Sequence, residues 1–532
     1  MLSKFLHNIQ DRADFLPESL QSPYALTILT LLLAFSLNYV FGVINALSSP
    51  LSRLPGPWYA PFTTWHLNYA FARGTIWKKV EQCHKKYGSI FRLGPRHIWV
   101  SDKDAVKTVL MTLDLPKVTM YAEIARDRKQ PGLFGEIRPD PHKQLKKLMS
   151  PAFTVAYIDD LEFLFSECVG DLIKSYVDKL SASESAGGNR PTVTDLMKDF
   201  HSLALDIMGE CSFGKGFGQT NPKKTIEPDF DDKVWKNIPA AVFSGMSRRY
   251  QSGIQLVYIK RALRRFGIDL RFDWPKEMIS AIAAVTKGRA ESSENARPDL
   301  LQHVIDEGIS PNRGDKMSTK EIIDQMAELM LAGSETSAGT MANLFLELMR
   351  NPDVKAKLIS SLPVLSPDDP IISSKTVRTA PQFEYLEACI KEALRLHPIA
   401  SEMGRRTGDS PINLMGYDLP PYTVVSVSYR YLHRNPEHWP EPLRFWPERW
   451  LESRPEDVPP PDMQAYYPFS AGKHTCIGKN FAHAEIRMVA ANILSRFDVN
   501  EVQGQQIDYR QYITMQMANG SCKAYLSRRQ KT

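Results

Sequence analysis

The chain has 532 residues, 43% hydrophobic and 24% charged, a composition that excludes a disordered or fibrous protein. Its formal charge of +6 is slight for that length and argues against nucleic acid as the main partner. The six cysteines, Cys83, Cys168, Cys211, Cys389, Cys476 and Cys522, lie far apart with no Cys-x-x-Cys pair, which points away from a disulfide framework and toward the reducing cytosol. Length alone would suggest two or more domains, but no internal repeat or composition shift marks a second one.

Residues 1–23 form an N-terminal extension. No charge occurs between Glu18 and Arg53, and the apolar run 24–47 is long enough for a bilayer core, which needs about 20 such residues. It reads as a transmembrane anchor; Asn38 and Asn45 leave an interfacial hairpin as the alternative. A cleaved signal peptide would be shorter and nearer the start. Lys4 and Arg12 precede the run and Arg53 follows it, so flanking charge does not set its orientation. Leu54-Pro55-Gly56-Pro57 then stiffens a proline-rich hinge over 48–60, with the catalytic body at 61–532. Two short strands follow, Tyr87-Gly88-Ser89-Ile90-Phe91-Arg92-Leu93-Gly94 and His97-Ile98-Trp99-Val100-Ser101. Ser101 and Asp102 open a helix carrying Ala105, Val106, Val109 and Leu110.

After Asp140, Pro141-His142-Lys143-Gln144-Leu145-Lys146-Lys147 begins a basic helix whose bland reading is a solvated face. Residues 155–310 read as helices between polar loops. Within them 235–274 mixes apolar residues with Arg248, Arg249, Lys260, Arg261, Arg264 and Arg265, as a membrane-surface helix or a plain surface helix would. Ser318-Thr319-Lys320-Glu321 is a capping box, opening a helix about 45 Å long that ends at Asn351-Pro352. Apolar on several faces, it should run through the interior.

In the middle of that helix stands Ala332-Gly333-Ser334-Glu335-Thr336-Ser337. An acid and an alcohol after small residues suit a helix that bends around a bound diatomic ligand better than one that merely packs. Gly333 would permit close approach, Thr336 would hold a water, and Glu335 would relay protons. A glycine-rich helix crossing is the alternative. A further helix over 383–398 sets Glu392 and Arg395 three apart, and Phe445-Trp446-Pro447-Glu448-Arg449-Trp450 follows. Next comes Phe469-Ser470-Ala471-Gly472-Lys473-His474-Thr475-Cys476-Ile477-Gly478. Its glycines can wrap a sulfur against a flat cofactor, and cysteine thiolate is the axial haem ligand of oxygenases. A zinc site at His474, Cys476 and His483 would lack a second ligand cluster. A helix with Phe481, Ala484, Ile486, Val489, Ile493 and Phe497 closes the motif, and Ile513-Thr514-Met515-Gln516-Met517 before Asn519-Gly520 reads as a final hairpin.

The cysteine segment resembles the haem-binding loop of the cytochrome P450 family, with Phe469, Gly472, Cys476 and Gly478 on pattern and His474 in place of an arginine. Residues 332–337 resemble that family's oxygen-activation motif, and 54–57 resembles the hinge of its microsomal members. The resemblance covers roughly 50–530 and is of a membrane-anchored, fungal-like type. It implies a mainly α fold with a small β subdomain, in one catalytic domain behind the N-terminal anchor. The implied cofactor is haem b, its iron ligated by Cys476, with Gly333 close to it. His142, Lys146, His474 and Arg406 (or its neighbour Arg405) would reach the propionates, and 399–403 would line the pocket. Glu392, Arg395 and Arg449 would form a buried structural cluster. In 416–423 the family's hairpin glycine is Tyr422, which would alter the turn. Implied partners are NADPH-cytochrome P450 reductase, cytochrome b5, O2, membrane lipid and a lipophilic substrate such as a terpenoid, steroid, polyketide or fatty acid. Lys143, Lys146, Lys147, Lys473 and Lys479 would receive the reductase at the endoplasmic reticulum, on its cytosolic side. The rival functions are a haem-thiolate isomerase or dehydratase that does not use O2, and a non-enzymatic membrane-tethered haem protein.

Overall fold

Helix α1 (Pro23–Ser48) covers the expected anchor and stands clear of the body, with Leu31 65% and Phe41 63% exposed. Its stretch Thr27–Ser48 has a mean hydropathy of 2.0 with none of it buried, long and apolar enough to cross a membrane. Arg92 donates to the Ala46 carbonyl at 3.3 Å and so ties the last turn of α1 to the first strand of the body. This computed structural model describes residues 23–185, 191–221, 234–239, 242, 256–268, 270, 276–291 and 297–530.

The fold is mainly helical with small sheets, as expected. Strands β1 (Ile90–Gly94), β2 (His97–Val100), β3 (Glu402–Arg406) and β4 (Val424–Ser428) make one sheet in the order β1-β2-β4-β3. The β1–β2 pair is antiparallel, as its Gly-Pro turn dictates, but β2 runs parallel to β4, hundreds of residues later. Asp102 accepts from the Ala105 N–H at 2.8 Å and caps the helix beyond β2. That helix ends in a π-helical turn, Thr108–Thr112, against which the cysteine loop later rests.

The main core gathers α3 (Leu196–Phe213), α4 (Thr319–Arg350), α5 (Glu384–Leu396) and α6 (Lys479–Arg496), while α2 (Pro139–Met149) flanks the cysteine loop. Phe200 and Phe345 meet across α3 and α4 with ring centroids 5.1 Å apart. The capping box is present: Ser318 Oγ accepts from the Glu321 N–H, and the Glu321 carboxylate accepts from the Ser318 N–H at 2.8 Å. The 32-residue α4 is unbroken through 332–337. Ser334, Thr336 and Thr340 each donate to the carbonyl four residues back, the pattern by which hydroxyls bend a helix without breaking it.

One turn expectation needs correction. The final hairpin pairs β5 (Tyr509–Gln511) with β6 (Met515–Met517), so its apex is 512–514 rather than Asn519-Gly520. Gly520 instead leads into the strand Lys523–Arg528, which joins Thr192–Asp195 and Phe497–Glu501 in another sheet. At 416–423 Tyr422 takes the left-handed backbone itself, with φ of 59°. Of the basic stretch 235–274, Arg248 and Arg249 lie outside the described residues. Lys260 and Arg264 are drawn to Glu123, at 3.6 and 2.9 Å, rather than spread on a free surface.

Candidate active site

The cysteine loop is fixed from both ends. The Cys476 N–H donates to the Phe469 carbonyl at 2.9 Å and the Thr475 N–H to the Gly472 carbonyl at 3.1 Å. Gly472 has φ of 71°, and a Cβ there would stand 1.9 Å from the Leu110 carbonyl oxygen, so only glycine fits. The Asp114 carboxylate accepts from the Lys473 N–H at 3.1 Å and pairs with its ammonium at 3.0 Å. Of the six cysteines, five are buried and Cys476 is exposed. Surrounding protein still pushes its thiol up, while the Gly478 N–H and Lys146 act the other way.

Beside the loop, basic groups converge. The rings of His142 and His474 lie 4.5 Å apart, and Arg405, buried in β3, donates to Ser470 Oγ at 3.3 Å. Lys117 is buried too, donating to the Leu133 and Phe134 carbonyls at 2.8 and 3.0 Å. Burial first, then mutual repulsion, lowers His142 to about 2, His474 to about 3 and Lys117 to about 7. Glu328 pulls Lys117 back up, and His474 Nδ1 is buried without a hydrogen-bond partner. So many basic groups packed together would regain their charges beside an anion.

Lys146 donates to the Lys473 and Thr475 carbonyls at 2.7 and 2.8 Å, so its ammonium holds the loop's backbone. Arg405 is the guanidinium in the cluster; Arg406, next along the strand, points to the other face of the pleat. Sequence reasoning missed Lys117 and Asp114, which no motif singles out.

On α4, Thr336 Oγ1 donates to the Ala332 carbonyl at 2.6 Å. The Glu335 carboxylate accepts from Thr514 Oγ1 at 2.9 Å. Burial raises its pKa, with Thr514 and Arg510 opposing. Gly333 faces α3: a Cβ on it would meet Met208 Sδ at 2.5 Å, which is a helix crossing. Downstream, Glu392 accepts both Arg395 Nε and Nη2 at 2.8 Å, the Trp446 N–H at 3.0 Å and Trp450 Nε1 at 2.9 Å, with both charges fully buried. Arg449 Nε stands 3.5 Å from Glu392, and its Nη2 donates to the Pro440 and Glu441 carbonyls. His433, which the motifs did not flag, links this cluster to the loop: Nδ1 meets the Arg395 carbonyl at 3.2 Å and Nε2 accepts the Tyr467 N–H at 2.8 Å.

An exposed cysteine in a fixed loop beside convergent basic groups fits an iron porphyrin, which needs a thiolate ligand and partners for its acidic edge. The comparisons agree. Residues 54–523 match the family model described as Cytochrome P450. The chain is 29% identical over 524 residues to a cytochrome P450 monooxygenase, LUC2, of Fusarium sp, covering 97% of each chain. It is 28% identical to the monooxygenase FUS8 of Gibberella fujikuroi, over 92% of this chain and 91% of that one. It is also 28% identical to averantin hydroxylase of Dothistroma septosporum, over 88% and 84%.

Proposed function

Because this chain belongs to the cytochrome P450 family and is a haem-thiolate monooxygenase, we propose that it takes electrons from NADPH-cytochrome P450 reductase and hydroxylates a lipophilic small molecule. Cytochrome b5 is a second electron donor in this reading, and the substrate is a terpenoid, steroid or polyketide of secondary metabolism. A hydroxylase among the relatives supports hydroxylation as the reaction. The observation that carries the reading is the lone exposed cysteine, Cys476, in a loop beside which His142, His474, Arg405 and Lys117 converge.

Haem b, bound through the Cys476 thiolate, would supply oxygen activation, with electron push from sulfur favouring O–O cleavage. His142, His474, Arg405 and Lys117 would hold its two carboxylates. Lys146 keeps the loop carbonyls turned inward so that the sulfur stays presented. The Gly478 N–H tempers charge on that sulfur. The Thr336 hydroxyl, its proton engaged by the Ala332 carbonyl, is left to accept from a water. Glu335 hands protons to that water from the side of exposed Arg510. Because Glu335 and Thr336 are both present, a reaction that uses no O2 is disfavoured.

Exposed Lys143, Lys147, Lys473 and Lys479 lie around the loop and offer an acidic reductase a docking face. With α1 crossing the endoplasmic reticulum membrane and the body in the cytosol, Trp58 and Trp65, 81% and 77% exposed near the hinge, suit a lipid–water interface. The test is the reduced-CO spectrum. Cys476→Ser abolishes the thiolate-type band while Cys83→Ser, Cys168→Ser or Cys389→Ser keeps it; a normal band in Cys476→Ser overturns the reading.

A further inference from the structure

The residues Glu335, Gly339, Asn343 and Glu347 recur every four positions and so form one stripe of α4. A polar stripe on a buried helix must find partners, and here the C-terminal β5–β6 hairpin supplies most of them. Tyr509 donates its hydroxyl to Asn343 Oδ1 at 2.7 Å. Gln516 lies over Gly339, where an added Cβ would stand 2.9 Å from the glutamine Oε1, so the missing side chain is the seat for this residue. Gln516 Nε2 donates to the Glu335 carbonyl at 2.9 Å and reaches Thr514 Oγ1 at 3.4 Å. Thr514 Oγ1 in turn donates to the Glu335 carboxylate at 2.9 Å. At the lower end Glu347 takes His397 Nε2 at 2.6 Å, whose ring lies 5.8 Å from that of Tyr509.

These bonds run in one direction. Gln516 offers an N–H to the Thr514 oxygen, which leaves the Thr514 proton to point at Glu335. A carboxylate that must pass protons needs a fixed orientation, and a buried one needs a donor to keep it ionised. The Met515 N–H donates to the Ile399 carbonyl at 2.7 Å, so the same hairpin is stitched to the segment expected to line the substrate pocket. Nothing in the acid–alcohol motif itself supplies such a donor: Thr336 is turned back on its own helix.

We propose that Thr514 is the positioning residue for Glu335, and that through it the seating of the C-terminal hairpin decides whether the acid can deliver a proton. Thr514 touches neither cofactor nor substrate in this role; it acts through Glu335. The proposal rests on the monooxygenase reading, but its central bond can be tested apart from turnover. Charges acting on Glu335 come from Arg510 of β5, and burial works against ionisation. Losing the Thr514 donor therefore raises the proton affinity of Glu335.

The experiment uses the full-length, haem-loaded chain. The Glu335 carboxyl stretch, isolated as the infrared difference between wild type and Glu335→Gln, is titrated from about pH 5 to 9. Thr514→Val, isosteric without the hydroxyl, raises proton affinity about tenfold, the worth of one hydrogen bond to a charged group, and Thr514→Ser restores it. Thr514→Ala, which only deletes atoms, reports the same shift if the valine variant folds poorly. With NADPH-cytochrome P450 reductase and a turned-over substrate present, Thr514→Val also moves the division of NADPH equivalents several-fold from product toward peroxide, as Glu335→Gln does, and Thr514→Ser does not. An unmoved carboxyl titration in Thr514→Val or Thr514→Ala overturns the proposal. Failure of the wild type, supplied with NADPH-cytochrome P450 reductase, to oxidise NADPH overturns the functional reading instead, and leaves the infrared result standing.

Discussion

The imidazoles of His142 and His474, 4.5 Å apart, occupy a cluster whose other members, Lys117, Lys146 and Arg405, are all cations. Burial first, and these neighbours second, hold both rings neutral, at about 2 and about 3, below the ordinary histidine value of 6.5. For the haem-free protein the sign is fixed. A group with a folded value below its unfolded one contributes full stability above pH 6.5 and loses it progressively toward its folded value. Binding a dianion reverses the local field and raises both rings, so loading takes up protons. Haem retention is then strongest at low pH and weakens as pH rises through the raised, bound-state value. His474→Arg flattens this dependence because its charge persists. His474→Ala releases haem faster wherever the bound imidazole is charged. Haem transfer to an excess acceptor protein between about pH 6 and 9 reads all three, and equal rates in wild type and His474→Ala remove His474 from the site.

A second prediction separates a buried carboxylate from a surface one. Glu392 accepts from Arg395, Trp446 and Trp450 with no exposure, whereas Glu81 pairs with Lys85 on a solvated helix face at 2.8 Å. Glu392→Ala strands the Arg395 guanidinium and two N–H donors, a loss of about 3–5 kcal/mol. The yield of haem-loaded protein should collapse. Glu81→Ala should cost no more than about 0.5 kcal/mol. Similar melting curves for the two variants would contradict the buried assignment.

The sequence made some of these features legible and hid others, for physical reasons. Capping at Ser318 and Glu321 is local chemistry within four residues, and it was readable because both partners sit in one turn. The Glu392–Arg395 pair was readable for the same reason. The partners of Glu335 were not: Thr514 and Gln516 lie 179 and 181 positions away, and no periodicity records which hairpin meets which helix face. The choice between Arg405 and Arg406 was equally closed, because it depends on which face of β3 turns inward, and that is set by pairing with β4. Gly333 was read for the close approach a glycine permits, but sequence cannot say what approaches; here it is Met208 of α3.

Tyr422 offers a test of backbone strain away from the chemistry. It is 57% exposed with φ of 59°, a region that costs a residue with a Cβ about 1–2 kcal/mol. Glycine takes that conformation freely but loses more freedom on folding. Tyr422→Gly should raise stability by about 0.5–1 kcal/mol, while Tyr422→Ala, which keeps the Cβ, should not. Denaturant unfolding of the two variants measures the difference, and a Tyr422→Gly protein no more stable than Tyr422→Ala would show that the strain is absent.

The last prediction decides what Gly333 is for. If it serves the α3–α4 crossing, a methyl group at 333 is forced against the Met208 side chain, whose Sδ would stand 2.5 Å away. Overpacking of this kind costs about 1–3 kcal/mol. Met208→Ala alone costs about 2–5 kcal/mol through the cavity it leaves. Combined, the two changes relieve each other, because the added methyl grows into the space the methionine vacated. The double variant should then be more stable than the sum of the single losses by about 0.5–3 kcal/mol, the size expected for residues in direct contact. If Gly333 instead keeps clear a space for the cofactor, Met208→Ala gives no relief. The losses then add, and Gly333→Ala lowers haem content whether or not Met208 is present. Denaturant melts of the four proteins, with haem content measured on each, separate the two outcomes.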